Sequence, residues 1–385
     1  MRIAFVTTGT LKNWGTNYRI LGLASCLVQQ RVDAHILLPG HSENRLQFPG
    51  SHYKGAPIHF AETGAWSEMR SKYQILRELR PDVVHCMDVI KRSFPSSLAY
   101  CTRYSVPLIV DIDEHLSKVF RFPKNLYALL GERVALRRAD SIIVASRFLE
   151  KVFLKRRSGG GSLLYLPNGA DLDYFLQHAD GSQKVRQRWA GRKIVTYFGS
   201  LLPRYDADIV LEAAIRMLEK RRDLIFVFIG TGPLLESYRR RTAELRLEKW
   251  FDWRGFVPDE EVPGYLSASD ALVFPIRDNW TNRARCPGKL YHFAAAMVPV
   301  VTNPVGEIKE ALGDRAWYFR EGDTDDFIRV LERCLKAGRD SLCADAALAA
   351  RHSWQARARV YLGFLEQKTA VWSLPGSQSL SVRAM

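Results

Sequence analysis

The chain has 385 residues, of which 47% are hydrophobic and 25% charged, a composition typical of a soluble globular protein that excludes disorder throughout. Its 56 Lys and Arg residues exceed its 41 Asp and Glu residues, and the net charge of +15 indicates an acidic partner: nucleic acid, an anionic membrane or a phosphorylated ligand. No apolar run reaches the roughly 18 residues of a membrane span, and the first residues lack a signal-peptide pattern. The 6 cysteines show no CxxC spacing, so we expect reduced thiols in a cytoplasmic protein.

Short apolar runs alternate with helical patterns along the chain. The predicted strands of the first half are residues 3–6, 34–38, 83–85, 108–110, 141–144 and 163–166, with a helix over residues 20–30. Those of the second half are residues 194–198, 225–229, 251–254, 271–274 and 298–301. Continuous apolar strands separated by helices indicate parallel sheets covered on both faces. We therefore predict an α/β fold of two tandem Rossmann-like, doubly wound domains.

The predicted domains cover residues 1–175 and 193–365, and a polar stretch without a strand pattern, residues 176–192, is the predicted linker. Residues 373–385 show no periodicity and are predicted to be disordered. In doubly wound sheets, ligands bind outside the carboxyl ends of the strands. We therefore expect the functional site in the loops that follow the strands, in a cleft where two such sets of loops face each other.

Glycines mark two of these loops. Gly15 begins the helix after the first strand, where it allows backbone N–H groups to approach a phosphate or simply serves a turn. Gly9 and Gly15 are too far apart for the GxGxxG pattern, which argues against a dinucleotide-dependent oxidoreductase. Gly230 and Gly232 follow an apolar strand of the second half, where a structural role and a ligand-binding role fit equally well.

Lys289 stands at the start of a predicted helix that begins with Pro287 and Gly288. Gly288 leaves the first N–H groups of the helix open to a ligand. A cation at the positive end of the helix dipole is unfavourable, and a bound diphosphate would relieve this conflict. The alternative is that Lys289 is a solvated surface residue.

Acidic residues and a histidine follow the fourth predicted strand. Asp113 and His115 lie in the run Asp111-Ile112-Asp113-Glu114-His115 and are candidates for acid–base chemistry or for binding sugar hydroxyls. The Asp-x-Asp pattern recurs at residues 171–173 and 206–208, so we predict no metal site from it. The alternative for His115 is a buried histidine satisfied by a neighbour.

The segment 117–138 carries six Lys or Arg and one Glu, interleaved with large apolar residues. Such a segment can lie on an anionic membrane surface. The alternative is a solvated basic helix whose leucines face the core. Because the chain contains no recognised nucleic-acid-binding module, we expect no nucleic-acid partner.

Several short motifs occur in a characteristic order. They are residues 81–85 (PDVVH), 139–146 (ADSIIVAS), 167–171 (PNGAD), 199–201 (GSL) followed by Arg204 and Asp206, 229–234 (IGTGPL), 254–258 (RGFVP), 268–271 (ASDA), 287–290 (PGKL) and 299–301 (PVV). Together they resemble the motifs of GT-B glycosyltransferases, particularly the retaining enzymes of family 4. The resemblance extends from Met1 to about Gly322.

This resemblance implies a nucleotide-sugar donor held by the second domain and a glycan, lipid-linked or small-molecule acceptor held by the first. It also implies retention of configuration with neither a cofactor nor a required metal. The implied catalytic residues are Asp113, His115, Arg204 and Lys289. The implied donor-binding residues are Gly15, Gly199, Ser200, Gly230, Gly232, Gly255, Phe256, Asn282, Gly288, Leu290 and His292. From the cysteine spacing and the basic segment we expect a cytoplasmic location, peripheral to the inner face of the membrane.

Two departures from the family pattern stand out. Two glutamates that often bind the donor sugar and the ribose are replaced by Ala284 and His292. An imidazole can still hydrogen-bond a ribose hydroxyl, whereas alanine cannot, so Asn282, Arg283 or Arg285 would have to hold the sugar. The second hypothesis is therefore a catalytically degenerate GT-B scaffold that binds a partner or a membrane.

Overall fold

The structure is a computed structural model that describes residues 1–9, 15–89, 92–156, 161–203 and 205–372. Its contacts divide the chain into two compact units. The first unit contains Met1–Gly169, Ala284–Cys286 and the residues from Trp354 onward, and the second contains Ala170–Arg283 and Pro287–Ser353. The predicted tail at 373–385 and Arg204 lie outside the described residues.

The first unit is built on an eight-stranded sheet. Its strands are β1 (Arg2–Val6), β2 (Asp33–Pro39), β3 (His52–Tyr53), β4 (Ala56–Ala61), β5 (Val83–Met87), β6 (Leu108–Ile112), β7 (Ser141–Val144) and β8 (Ser162–Tyr165). They lie in the order β3-β4-β2-β1-β5-β6-β7-β8. Neighbouring described strands pair in parallel, except β3 with β4, which are antiparallel. The order reverses on either side of β1, which places the loop after β1 where such sheets usually bind ligands.

Helices cover both faces of this sheet. They include α1 (Gly15–Gln29), α2 (Ser42–Gln47), α3 (Ala65–Leu79), α4 (Ser93–Tyr104), α5 (Leu116–Val119), α6 (Lys124–Arg138) and α7 (Arg147–Leu154). The central strands bury every side chain, as in β5 and β6, because helices lie over both faces of the sheet.

The second unit has a six-stranded parallel sheet in the order β11-β10-β9-β12-β13-β14. Its strands are β9 (Lys193–Phe198), β10 (Leu224–Ile229), β11 (Phe251–Gly255), β12 (Ala271–Phe274), β13 (Val300–Thr302) and β14 (Trp317–Tyr318). Its helices are α8 (Leu172–His178), α9 (Ser182–Arg188), α10 (Ala207–Lys220), α11 (Leu235–Glu244), α12 (Val262–Ala268), α13 (Trp280–Ala284), α14 (Lys289–Ala296), α15 (Glu307–Leu312), α16 (Thr324–Ala337) and α17 (Ala346–Arg351).

Two parallel-sheet α/β units confirm the predicted fold class. Each predicted strand overlaps an observed one. The strands β3, β4 and β14 were not predicted. β3 and β14 have only two residues each, and β4 contains a proline and a histidine. The units differ from the predicted domains at several places, and two of the differences involve whole helices. Residues 176–192, predicted as a linker, contain the end of α8 and all of α9, which packs against α12 within the second unit.

The second difference is the last helix, α18 (Trp354–Trp372), which belongs to the first unit although most of it falls in the range predicted for the second domain. It packs along α1. Gly22 of α1 makes this packing possible, because a Cβ atom there would lie 2.5 Å from the indole ring of Trp354. Tyr361 of α18 is fully buried in the same core.

We expect Gly22→Ala to destabilise the first unit. The added methyl group overlaps the Trp354 ring, and overpacking of this kind destabilises a core by about 1–3 kcal/mol. This loss exceeds the roughly 1 kcal/mol by which alanine stabilises a helix relative to glycine. Gly363→Ala in α18 is the matched control, since its Cβ meets no described heavy atom within 4 Å and should stabilise the protein. Urea denaturation measures both variants. Equal effects of the two substitutions would contradict the packing argument.

Candidate functional site

The loops after β9 and β10 of the second unit pack directly on each other. Gly230 has a φ of 142°, and a Cβ atom on it would lie 1.9 Å from the carbonyl oxygen of Gly199. A Cβ atom on Gly232 would lie 2.1 Å from the carbonyl oxygen of Leu201. Both glycines are therefore required by the packing of the two loops, which accounts for them without a ligand.

Lys289 begins α14 and lies beside the loop after β9. Its Nζ atom is 5.6 Å from the centre of the Phe198 ring and 5.3 Å from that of Phe274, and a Cβ atom on Gly199 would be 2.6 Å from it. The half-buried side chain is thus held between the ends of β9 and β12, which differs from the solvated alternative. Gly288 is exposed, and a Cβ atom on it would meet no described atom within 4 Å.

His292 lies one turn after Lys289 on the same helix. Its imidazole is near the rings of Phe175 and Phe198, with centroids 6.3 and 6.4 Å away. The Nδ1 atom is buried and has no hydrogen-bond partner among the described residues. Burial lowers the pKa of His292, and the charge of Lys289 acts in the same direction, so the ring is neutral at pH 7.

The other predicted donor-binding residues of the second unit differ in how far they are buried. The buried side chain of Asn282 donates a hydrogen bond to the carbonyl oxygen of Arg277 at 2.8 Å, so one of the two N–H donors of this amide is already used. Leu290 is fully buried in the core, and a side-chain contact with a donor does not fit that position. Ser200 is exposed, and Gly255, with a φ of 64°, precedes Phe256, whose ring is 77% exposed.

In the first unit, His115 is fully buried. Its Nε2 atom lies 3.2 Å from Arg156 and 3.4 Å from the carboxylate of Glu132. Burial would raise the pKa of Glu132, but hydrogen bonds from His115 and Ser117 outweigh it and lower that pKa. This geometry fits the alternative of a buried histidine held by its neighbours and does not fit direct contact with a substrate. Asp113 is half-buried in the loop after β6, and Gly15 begins α1.

A buried polar network that the sequence analysis missed lies at the carboxyl ends of β5 and β6. Arg19 donates to both carboxylate oxygens of Asp111, at 2.7 and 3.1 Å, and to the carbonyl oxygen of Leu166 at 2.7 Å. His85 lies 3.2 Å from Asp111 and 2.9 Å from the hydroxyl of Tyr361. Burial would raise the pKa of Asp111, but the charge of Arg19 outweighs it and holds that pKa low. Because Asp111 only accepts, His85 donates through Nε2 and accepts from Tyr361.

A signal for this network was present in the sequence. Arg19 stands four and eight residues before Leu23 and Leu27 of α1, on the face that these buried leucines define. A charged residue on a core-facing helix position requires a buried partner. The acidic residue Asp111, directly after the apolar run of β6, supplies it.

The first unit also contains a pocket of about 490 Å³. Its lining residues come from the carboxyl-end loops of the sheet and from α3 and α6, and they are Thr8, Gly9, His41, Glu68, Met69, Arg92 and Tyr127. No residue of the predicted site lines it.

An exposed apolar stripe runs along α6 and includes one residue of the segment just before this helix. It consists of Phe122, Leu126, Tyr127 and Leu130, which recur at helical spacing and are all at least half exposed. Exposed basic residues flank it at Lys118, Arg121, Lys124, Arg133, Arg137 and Arg138. The alternative in which the leucines of this segment face the core is therefore wrong for Leu126 and Leu130.

Among the described residues, no helix is both long enough and apolar enough to span a membrane. The same residues contain no group of three or more His, Cys, Asp or Glu side chains arranged to hold a metal ion.

Comparison with known proteins gives the family. Residues 192–337 match the family model of glycosyl transferases group 1, and residues 15–169 match that of a glycosyl transferase 4-like domain. The chain belongs to the group 1 glycosyltransferases. It is a GT-B glycosyltransferase that resembles family 4, as its motifs indicated.

Individual relatives are more distant. The chain is 28% identical over 190 residues to a GDP-mannose-dependent alpha-(1-6)-phosphatidylinositol monomannoside mannosyltransferase of Mycolicibacterium smegmatis, covering 47% of this chain and 50% of that one. It is 24% identical over 236 residues to an alpha-D-kanosaminyltransferase of Streptomyces kanamyceticus, covering 57% and 61%. The matches thus span about half the length of these relatives.

Solved structures share the fold over almost the whole chain. Anabaena HepE in complex with UDP has a TM-score of 0.75 at 16% identity, covering 95% of this chain and 100% of that one. The sucrose-phosphate synthase of Thermosynechococcus elongatus has a TM-score of 0.74 at 16% identity, covering 96% and 100%. At this identity the likeness shows the GT-B fold alone.

In this family member, Asp111→Ala should lower the free energy of unfolding by about 3–5 kcal/mol, because it leaves the buried charge of Arg19 without a counter-ion. The double variant Arg19→Met/Asp111→Leu should lose less, since both charges are removed. Asp33→Ala, which breaks the exposed pair with Arg2, is the control and should cost no more than about 1 kcal/mol. If urea denaturation gives Asp111→Ala and Asp33→Ala the same loss, the network does not stabilise the unit as argued.

Proposed function

We propose that the protein is a glycosyltransferase that moves a sugar from a nucleotide-sugar donor to an acceptor hydroxyl, with retention of configuration and without a required metal. The observation that carries the proposal is the position of Lys289. Its ammonium group lies beside Gly199 at the start of α14, where exposed Gly288 leaves the helix N-terminus open. Membership of the group 1 glycosyltransferases supports the same reaction class.

The start of α14 suits a diphosphate for two reasons. Exposed Gly288 leaves room for a ligand at the N-terminal end of the helix, which carries the positive end of the helix dipole. Lys289 adds a full positive charge at the same place. Negative charge grows on the leaving diphosphate in the transition state, and donors already in place stabilise it without reorganisation. The family resemblance assigns a second charge to Arg204, which lies outside the described residues.

The nucleoside half of the donor has candidate partners in the same unit. His292 is three residues after Lys289 and therefore on the same face of α14. Its buried Nδ1, which lacks a partner among the described residues, suits a ribose hydroxyl. The exposed ring of Phe256, after Gly255, suits contact with the base.

On the acceptor side, the proposal assigns orientation of the sugar or acceptor to Asp113 rather than to His115. Asp113 is half-buried in the loop after β6, whereas His115 is fully buried beside Glu132 and Arg156. His115 would instead hold this loop in place. The proposed mechanism is loss of the nucleoside diphosphate with attack of the acceptor hydroxyl on the same face of the sugar.

We expect Lys289→Ala to lower transfer by about a hundredfold or more, the usual effect of removing one preorganised donor from a transition state. Calorimetry with a panel of UDP-, GDP- and ADP-sugars should find one donor that binds the natural chain and binds this variant more weakly. Lys309→Ala is the matched control, because Lys309 lies in the same unit but pairs with Asp314. Unchanged transfer by Lys289→Ala would overturn the assignment.

The second candidate, a non-catalytic GT-B scaffold, is favoured by the position of Ala284. Its methyl group is buried, and its carbonyl oxygen accepts a hydrogen bond from Ser146 at 2.5 Å within the first unit. No side-chain donor for the sugar exists at this position. Failure of every donor in the panel to bind at millimolar concentration would favour the scaffold.

We further propose that the protein acts on the cytoplasmic side of a membrane, with the stripe of Phe122, Leu126, Tyr127 and Leu130 against an anionic surface. The flanking basic residues supply the complementary charge, at about 1 kcal/mol each near such a surface. Large apolar side chains that are exposed together in this way suit the boundary between headgroups and acyl chains.

Binding to vesicles tests the membrane surface. The variant Leu126→Ser/Leu130→Ser should bind phosphatidylglycerol-containing vesicles about tenfold more weakly, because apolar contact of about 1–2 kcal/mol is lost. Leu46→Ser removes a leucine of the first unit that lies outside the stripe and is more exposed than Leu126 or Leu130, and this variant should bind as the natural chain does. Binding should also weaken with added salt. Equal vesicle affinity of the double variant and the natural chain would exclude the stripe as the contact surface.

A further inference from the structure

The pocket of the first unit lies at the point where the strand order reverses. His41 follows β2, Thr8 and Gly9 follow β1, and Arg92 follows β5, so three neighbouring strands direct their carboxyl-end loops into it. This is the edge at which doubly wound sheets bind their ligands. The position of the pocket therefore suits a ligand.

A buried ion network forms one wall of the pocket. Lys72 is fully buried, and its ammonium group donates three hydrogen bonds, to Glu68 at 2.7 Å, to the carbonyl oxygen of Thr7 at 2.7 Å and to Ser93 at 2.8 Å. An ammonium group has three N–H donors, so Lys72 has none left for a ligand. Its charge is matched by Glu68, which it contacts directly.

Arg92 is the solvent-facing member of this network. One of its N–H groups donates to the second carboxylate oxygen of Glu68 at 2.6 Å. The exposed fractions of the side chains are 38% for Arg92, 4% for Glu68 and 0% for Lys72. Since Lys72 and Glu68 neutralise each other, the network carries a net positive charge, and it is presented to the pocket by Arg92. A guanidinium has five N–H donors, which leaves several for a ligand.

Thr8 provides an independent observation. Its side chain is only 4% exposed, and its hydroxyl has no hydrogen-bond partner among the residues that the structure describes. Buried hydroxyl groups are normally paired, so an unpartnered one on the wall of a pocket is available to a ligand. The N-terminus of α4 lies at Arg92, and no described side chain caps it. Its N–H groups add further donors on the same side.

We propose that this pocket binds a phosphate group of the acceptor, with Arg92 and Thr8 as its donors. The inference rests on the proposed transfer reaction, since it names the chemistry of the acceptor for that reaction. The wall offers a guanidinium, a hydroxyl and a helix N-terminus, whereas both oxygens of its carboxylate are already occupied. A group that only accepts hydrogen bonds and carries negative charge fits these donors, and a phosphate fits the planar fork of an arginine.

Glycerol 1-phosphate is the probe for the site. The full chain should bind it in calorimetry, and Arg92→Gln should weaken binding by about tenfold or more, as expected for loss of a charge-assisted contact. Arg103→Gln removes a charge from the exposed part of the same helix and should have no effect. Because the probe could also occupy the site at Lys289, all titrations are repeated in a Lys289→Ala background, in which the effect of Arg92→Gln should persist.

Thr8→Val separates ligand binding from folding. Arg92→Gln also removes a partner of Glu68 and could lower stability, whereas the Thr8 hydroxyl bonds no described residue of the free protein. Thr8→Val should therefore keep the thermal unfolding temperature at or above that of the natural chain and still weaken binding of the probe severalfold. Equal affinity of Thr8→Val, Arg92→Gln and the natural chain for the probe would overturn the proposal.

The phosphate could belong to a soluble sugar phosphate or to a lipid headgroup, and a second arm distinguishes the two. Vesicles of phosphatidylcholine with phosphatidic acid are compared with phosphatidylcholine alone. If Arg92→Gln weakens binding to the anionic vesicles as well as to glycerol 1-phosphate, the pocket accepts a lipid phosphate. If it weakens only glycerol 1-phosphate binding, the ligand is soluble. Both results support a phosphate site.

The binding experiments test the proposed transfer and the phosphate site independently. A chain that binds a nucleotide-sugar but not glycerol 1-phosphate keeps its proposed function and loses this inference. A chain that binds glycerol 1-phosphate through Arg92 but no donor keeps the phosphate site and loses the proposed transfer.

Discussion

The first unit depends on one buried ion pair, that of Arg19 with Asp111. Burying two charges is costly unless they are paired and hydrogen-bonded, and here the remaining hydrogen-bonding groups are also used, by Leu166, Asn168 and His85. The pair connects α1 to the end of β6, and His85 extends the connection through Tyr361 to α18. The loop that carries Asp113 begins directly after β6, so the position of this candidate residue depends on the network behind it.

In the second unit, close packing between two backbone loops determines the position of the candidate site. The loops after β9 and β10 approach each other so closely that only glycine fits at Gly230 and Gly232. This packing places the Gly199 loop beside the start of α14, where Lys289 lies. The glycines of this unit therefore hold the two loops beside Lys289, and under the proposed function the donor would contact the side chains of Lys289 and His292.

The sequence was sufficient for the fold class and for the strands with continuous apolar runs, because burial on both faces imposes such runs. It was insufficient for β3 and β14, which are too short to show a pattern, and for the helices of residues 176–192, whose polar composition masks their periodicity. The motifs located Lys289 at the start of a helix correctly. They could not show that His115 is buried, since its partners Glu132 and Arg156 are distant in sequence. The two ion networks were missed for the same reason, although Arg19 and Lys72 both occupy core-facing positions of their helices.

The return of α18 to the first unit has a consequence for how the chain can be divided. The polypeptide begins in the first unit, passes through the second, contributes Ala284–Cys286 to the first on the way, and ends there. In topological terms, the second unit is an insertion within the first. A fragment that stops at Gly169 would lack Trp354 and Tyr361, leaving the groove at Gly22 open to solvent and His85 without its hydroxyl partner. The second unit, by contrast, needs no segment from either end of the chain to complete its sheet. Separate expression should therefore be attempted with the second unit, and the first unit should be made as a circular or spliced chain that retains α18.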